Sequence, residues 1–220
     1  RRRPPTAAAP GPYLPSPMER EVLEFDIQFV GAGPAGLAGA IHLADLIARH
    51  RALAPDEQER ARRAARGGGD AGPPIGEITI AVLEKAATVG AHGLSGAVLD
   101  PRALAELIPD YRAQGCPIES DVASDDVYFF WERGQFRLPF VPPMLNNHGC
   151  HILSLGNLVE WLATVAEAKG VLIATETPAA RAIVEGGRVL GVTAGDKGID
   201  KKGEKKRNYG VEVISVDRDY

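Results

Sequence analysis

A mixed α/β fold built on a parallel sheet is what this sequence predicts, on three observations. Phe25-Asp26-Ile27-Gln28-Phe29-Val30-Gly31-Ala32-Gly33-Pro34-Ala35-Gly36-Leu37 runs from a short apolar strand through a glycine turn into a helix. Glu77-Ile78-Thr79-Ile80-Ala81-Val82-Leu83 is nearly continuous in apolar residues, as a parallel strand covered on both faces should be. Between them, Leu37, Ala40, Ile41, Ala44 and Ile47 recur at helical spacing. Strand, helix and strand in that order read as a βαβ unit.

The glycines add chemistry to this frame. Their spacing is Gly31-x-Gly33-x-x-Gly36, directly between the strand and the helix. Gly31 lets the chain turn sharply, Gly33 lets a pyrophosphate approach the backbone, and Gly36 lets helix and strand pack closely. The free N–H groups and positive dipole end of the helix then face the phosphates. Val30, Gly31, Ala32, Gly33, Pro34, Ala35 and Gly36 are therefore expected to form a dinucleotide-binding turn. The second strand ends in Glu84-Lys85. An acid there accepts hydrogen bonds from ribose hydroxyls and repels a 2′-phosphate, which points to FAD or NAD rather than NADP. The glycine-to-acid gap is more than twice the usual stretch of about 20 residues, the excess being Arg51 to Gly76. Gln28 is a polar residue in a strand that should be buried; an edge position or a hydrogen-bonding partner would account for it.

Composition bounds the function classes. The 220 residues are 45% hydrophobic with a formal net charge of −4, enough for one large or two small globular domains. That charge argues against a general nucleic-acid binder. No run approaches the roughly 18 apolar residues of a membrane-spanning helix. Two cysteines, Cys116 and Cys150, are too few for a disulfide scaffold, fit a reducing compartment, and are too few for a four-cysteine iron–sulfur site within the chain.

In chain order, residues 1–18 are rich in arginine, proline and alanine and contain no acid. They read as an unstructured tail with the composition of an organellar transit sequence. Pro55 to Gly76 is expected to be a solvated insertion, partly helical until Gly67-Gly68-Gly69 and Pro73-Pro74 end it. Gly90-Ala91-His92-Gly93-Leu94-Ser95-Gly96-Ala97 is a glycine-rich loop on the cofactor side of the sheet. It is not a hydrolase nucleophile elbow, because Gly93-Leu94-Ser95-Gly96 lacks the second spacer residue and no strand precedes it. Asp100-Pro101 should cap a short helix with Leu104, Leu107 and Ile108 inward. Val127 to Trp131 and Phe136 to Leu138, either side of Gly134, read as a hairpin. His148, Cys150 and His151 are too close in sequence to converge easily on one metal ion. Asn157-Leu158-Val159-Glu160 approximates a capping box for a helix with Leu158, Trp161, Leu162 and Val165 on one face, ended by Gly170. Val171 to Ala174 is a strand returning to the sheet. Ala182 to Val184 and Val189 to Val192 form a second hairpin around Gly186-Gly187. Gly195 to Asn208 reads as a solvated lysine-rich loop, and Val211 to Ile214 as a last strand.

Taken together, these residues resemble one family, electron-transfer flavoprotein–ubiquinone oxidoreductase, over about Met18 to Gly210. The resemblance rests on Val30 to Leu37, Glu84-Lys85-Ala86 and Gly90-Ala91-His92-Gly93-Leu94-Ser95-Gly96-Ala97-Val98-Leu99-Asp100-Pro101. Asn146-Asn147-His148-Gly149, Ser154-Leu155-Gly156-Asn157-Leu158-Val159 and Asp196-Lys197-Gly198-Ile199-Asp200-Lys201-Lys202-Gly203 follow in the family's order. It implies a glutathione-reductase-like, FAD-binding Rossmann domain with inserted antiparallel hairpins. Cofactor contacts are then expected at Val30 to Gly36, Glu84, Lys85, Leu94, Ser95 and Ala182, with no catalytic side chain and no metal ligand. The family passes electrons from reduced electron-transfer flavoprotein to ubiquinone at the matrix side of the mitochondrial inner membrane, using FAD and a four-iron cluster.

The same resemblance implies a domain plan: a tail over 1–22, an FAD core over 23–110 with the insertion at 51–76, the start of a quinone-side domain over 111–150, and a return to the FAD domain over 151–220. Family chains are far longer, and this one ends before the second FAD motif, most of the quinone surface and the cluster cysteines. The expectation is an enzyme portion completed by a C-terminal partner chain or larger respiratory assembly, peripherally membrane-associated, the cluster residing on that partner. The alternative is a redox-inactive interface subunit of a larger mitochondrial complex. Either way, a partner is expected over the strands near Val171–Ala174 and Val211–Ile214.

Overall fold

The computed structural model describes residues 21–195, 197–199, 205–210 and 212–216. The N-terminal arginine/proline stretch up to residue 20 and Val211 lie outside them. The described residues divide into two compact units, one from Phe25 to Pro178 and one formed by residues 21–24 together with those from Ala179 onward.

The larger unit is organised by a three-stranded parallel sheet. Its order is β2 (Ile27–Val30), β3 (Ile80–Leu83), β9 (Leu172–Ala174), with β3 central. Ile27 pairs with Ile80 and Val30 with Leu83, while Ala81 pairs with Leu172 and Leu83 with Ala174. All of β3 is buried, as its apolar sequence requires. The strand starts at Ile80 rather than Glu77 for a local reason. The Asp26 carboxylate accepts hydrogen bonds from both the backbone N–H (2.6 Å) and the hydroxyl (2.8 Å) of Thr79. The Thr79 N–H is thus taken by a side chain, while its carbonyl still accepts the Ile27 N–H at 3.2 Å. Gln28 lies on β2, at the edge of this sheet, and its amide nitrogen and oxygen are buried without a hydrogen-bonding partner. The edge position expected of it is therefore found, and a partner is not.

Helix α1 (Pro34–Ala52) covers the sheet, burying Leu37, Ala40 and Ile41. Gly39 faces Phe29 of β2 so closely that a Cβ there would come within 2.7 Å of the ring. Helix α2 (Pro55–Ala65) has no buried residue and is laced by the i,i+4 pairs Asp56–Arg60 and Glu59–Arg63. This helical part of the insertion is therefore solvated, as its composition predicts, while Ala71 beyond it is buried. Helix α4 (Leu155–Ala168) buries Leu158, Val159, Leu162, Ala163 and Ala166 and precedes β9. It is tied to α1 by the Lys169–Asp45 ion pair. Its cap is Ser154, whose hydroxyl accepts the Asn157 N–H. The helix thus starts ahead of the anticipated Asn157 box, because the Ser154 hydroxyl is already in place to satisfy a free N–H of the first turn.

The remaining elements of this unit are antiparallel. β8 (His151–Leu153) pairs with β4 (Ala97–Leu99) on one side and β5 (Ile118–Asp121) on the other. Short helix α3 (Arg102–Leu107) follows Asp100, whose carboxylate accepts the Arg102 N–H. Leu104 and Ile108 enter the core. β6 (Tyr128–Trp131) and β7 (Gly134–Arg137) form the expected hairpin. Its large side chains stand in solvent: Phe129, Phe130, Trp131 and Phe136 are each more than half exposed.

The smaller unit is a four-stranded sheet in the order β1 (Glu21–Phe25), β14 (Glu212–Val216), β11 (Arg188–Ala194), β10 (Ala179–Glu185). The hairpin expected around Gly186-Gly187 is β10–β11, both glycines having positive φ. Within Gly195–Asn208, anticipated as a polar loop, β12 (Lys197–Ile199) pairs antiparallel with β13 (Lys205–Gly210). Polar strands of this kind carry no hydrophobic alternation to announce them. β1 takes up Glu21 and Val22, the last two residues of the anticipated tail.

Candidate functional site: a glycine-turn cleft

The C-terminal ends of β2 and β3 and the N-terminus of α1 meet at one cleft. Gly31 turns the chain with φ +102°, and its N–H donates to Leu83 O at 2.8 Å, extending the ladder by one bond. A Cβ at Gly36 would lie 2.1 Å from Gly31 O, so only glycine allows α1 to begin so close to the strand. Gly33 differs: nothing lies within 4 Å of where its Cβ would be. That open space lies at the N-cap of α1, with Pro34 at the first helical position and no side-chain cap on the free N–H groups. Space and unpaired donors together are what a phosphate needs.

Glu84 closes the turn from the other side. One carboxylate oxygen accepts the N–H of buried Ala32 at 3.0 Å, and the other accepts the Ala86 N–H at 2.8 Å. The chain around Glu84 is fixed in turn by Glu84 N–H donating to Ala174 O and Thr177 N–H donating to Glu84 O. The acid therefore sits beside the glycine turn although Ala32 and Glu84 are 52 positions apart. Each oxygen retains lone-pair capacity toward a further donor, such as a ribose hydroxyl.

The cleft has a volume of about 180 Å³ and is lined by Ala32, Gly33, Pro34, Glu84, Gly90, His92, Gly93, Leu155 and Val159. Whole-ligand pockets run to roughly 300–1,000 Å³, so the cleft suits the middle of a dinucleotide rather than all of it. Gly33, with its open approach, and Glu84 fit that use. Of the other expected contacts, Val30, Gly31, Ala35 and Gly36 build the turn without lining the cleft. Lys85, Leu94 and Ser95 are exposed and are not among the lining residues. Ala182 is an exposed residue of β10, paired with Val192, in the smaller unit.

The glycine-rich loop expected on the cofactor side supplies Gly90, His92 and Gly93 to the cleft lining, and the contact with α4 that holds it there was not visible in the sequence. A Cβ on Gly90 would lie 2.5 Å from Gly156 O, and one on Gly93 2.6 Å from the Gly156 Cα. Leu155 N–H donates to Leu94 O at 3.0 Å. The loop is thus pressed onto the start of α4, and His92 is carried to the cleft. The signal was present as Gly90, Gly93 and Gly156 in two separate motifs, but their contact joins residues more than 60 positions apart.

A second polar cluster lies in the same unit. Buried His151 points Nδ1 at Asp121 Oδ1 (2.7 Å), and the Tyr111 hydroxyl meets its Nε2 at 2.8 Å. Arg112 donates to Asp121 at 2.6 Å, and that bond, foremost, holds the Asp121 carboxyl below the usual range. This histidine is a satisfied core residue. No group of three or more metal-ligating side chains is found among the described residues. Tyr111→Phe is expected to cost about 1 kcal/mol, because it removes the hydroxyl at 2.8 Å from the buried ring nitrogen and leaves that nitrogen only the longer 3.3 Å contact with the Arg112 guanidinium; urea unfolding of the purified chain measures it. Burial pushes the Cys116 thiol up, away from the thiolate that an iron–sulfur site requires.

Parallel strands, a glycine turn and an acid ending the neighbouring strand define a Rossmann-type α/β protein. A geranylgeranyl bacteriochlorophyll reductase-like protein from Thermoplasma acidophilum shares the fold, with TM-score 0.53 at 18% identity over 89% of this chain and 37% of that one. No protein-family model matches the sequence. The chain is 41% identical over 196 residues to the electron transfer flavoprotein-ubiquinone oxidoreductase of Pseudomonas aeruginosa and 38% identical over 194 to the mitochondrial protein of that name from Bos taurus. Each match takes in 87% of this chain, so the resemblance carried by the motifs holds over most of its length. The chain spans 31% and 28% of the length of these two relatives.

Proposed function

We propose that this chain is the FAD-binding part of an electron-transfer flavoprotein–ubiquinone oxidoreductase, of the glutathione-reductase-like type. One observation carries the reading: the Glu84 carboxylate is hydrogen-bonded to the Ala32 N–H beside a turn in which Gly33 is open to a ligand. In this reading the α1 N-terminus and the Gly33 backbone hold the pyrophosphate, and Glu84 accepts a ribose hydroxyl while keeping the turn in shape. FAD, when bound, supplies one- and two-electron chemistry; the protein supplies position and electrostatics.

The reading assigns 23–110 to the FAD core, 111–150 to the start of the quinone side and 151–220 to the return. The second FAD motif and the four-iron cluster of this reading are supplied from outside these 220 residues, whose two cysteines are too few for a four-cysteine site. Electron-transfer flavoprotein and ubiquinone are the donor and acceptor, at the matrix side of the mitochondrial inner membrane. No helix of the described residues is long and apolar enough to cross a membrane. The exposed aromatic side chains of β6 and β7 supply an apolar surface for peripheral association instead.

The test is a titration of the purified chain with FAD, followed by flavin fluorescence. Binding competed by ADP and not by FMN is expected, since the cleft reads the adenosine diphosphate half. A folded chain that binds neither FAD nor ADP at millimolar concentration would overturn the reading.

A further inference from the structure

We propose that His92 is a phosphate-binding residue of this cleft, donating a ring N–H to the diphosphate from the wall opposite the glycine turn. The inference rests on the dinucleotide reading above and extends it to a residue outside the glycine-turn pattern.

Three observations carry it. His92 lines the same cleft as Gly33 and Glu84. Its backbone is held in place: Gly90 and Gly93 abut Gly156 with no room for a side chain, and Leu94 O accepts the Leu155 N–H. The charges in the cleft are also divided. Among the lining residues Glu84 and His92 are the titratable ones, while α1 presents Pro34 and α4 presents Leu155 and Val159. A carboxylate repels phosphate and accepts from hydroxyls, whereas an imidazole N–H donates to phosphate oxygens. The diphosphate therefore belongs on the His92 side of Gly33 and the ribose on the Glu84 side. The cleft is read as a clamp, one jaw of backbone N–H groups and one of imidazole.

The experiment compares His92→Ala, His92→Lys and the unaltered chain, titrated with ADP and with adenosine by ligand-observed NMR. His92 is exposed, so both variants should melt at the unaltered temperature. The expected result is that His92→Ala weakens ADP roughly ten- to a hundredfold, as loss of a hydrogen bond to a charged group does. Adenosine affinity should stay unchanged, and His92→Lys should recover most of the ADP affinity. Equal weakening of ADP and adenosine, or no change for either, would overturn the assignment while leaving the dinucleotide reading intact. Failure of the unaltered chain to bind ADP would overturn both.

Discussion

Gly33→Ala and Gly36→Ala should fail in opposite ways. At Gly36 the added methyl would sit 2.1 Å from Gly31 O. The contact is with backbone, so no side chain can swing aside; α1 must move away from β2 or the turn must open. Overpacking of this kind costs about 1–3 kcal/mol, and a backbone clash lies at the upper end. Better helix propensity returns at most about 1 kcal/mol. A loss of roughly 2 kcal/mol or more in thermal or urea unfolding is expected without any ligand present. At Gly33 the methyl meets nothing within 4 Å, and the backbone there (φ −79°, ψ 178°) suits any residue. Stability should change by under about 0.5 kcal/mol, as at sites free of special constraints. FAD or ADP affinity should nevertheless fall by roughly a hundredfold, because the methyl fills the space the phosphates need. A Gly33→Ala chain that binds FAD as well as the unaltered protein would show that the phosphates do not pass this point.

Glu84→Ala should show both kinds of damage at once. It removes the acceptor for the buried Ala32 N–H and for the Ala86 N–H. Leaving a buried donor unpaired costs about 1–3 kcal/mol, and bonds to a charged acceptor are the stronger class. A combined loss of about 2–4 kcal/mol is expected, lowering the melting temperature by about 5–15 °C for a chain of this size. Glu84→Gln keeps one acceptor oxygen and should fall between. Calorimetry with and without ADP separates the two roles. If Glu84 also holds the ribose, the stabilisation given by a fixed ADP concentration shrinks in both variants. If Glu84 only braces the turn, Glu84→Gln loses melting temperature and keeps its ADP response.

The glycine turn, β3, the hairpins and the solvated insertion were legible because each is specified by residues adjacent in sequence. A glycine at positive φ, an apolar run and a Gly-Gly turn carry local signals. What escaped was set by contacts between distant residues. The start of β3 depends on Asp26 reaching Thr79, 53 positions away. The far wall of the cleft depends on Gly90 and Gly93 meeting Gly156, and no periodicity predicts that close approach. Among the candidate site residues, Gly31, Gly33 and Gly36 were readable from spacing, and Glu84 from its place at the end of the second apolar run despite an unusual gap. His92 was visible only as part of a loop, because its place in the cleft is decided by the α4 contact.

The excursion from Arg51 to Gly76 is fastened at its base, where the Arg51 guanidinium donates to Gly76 O at 3.1 Å. Its helix buries nothing, and its two ends leave α1 and enter the approach to β3 side by side. For an experimenter this is a handle. A chain closed at its neck can exchange its contents cheaply, since doubling a loop costs only about 0.6 kcal/mol. The Gly67-Gly68-Gly69 tip is accordingly the place to graft an affinity tag, a fluorescent reporter or a protease cleavage sequence. None of these glycines lines the cleft, so such a graft would give the ligand titrations proposed above a label outside the binding residues.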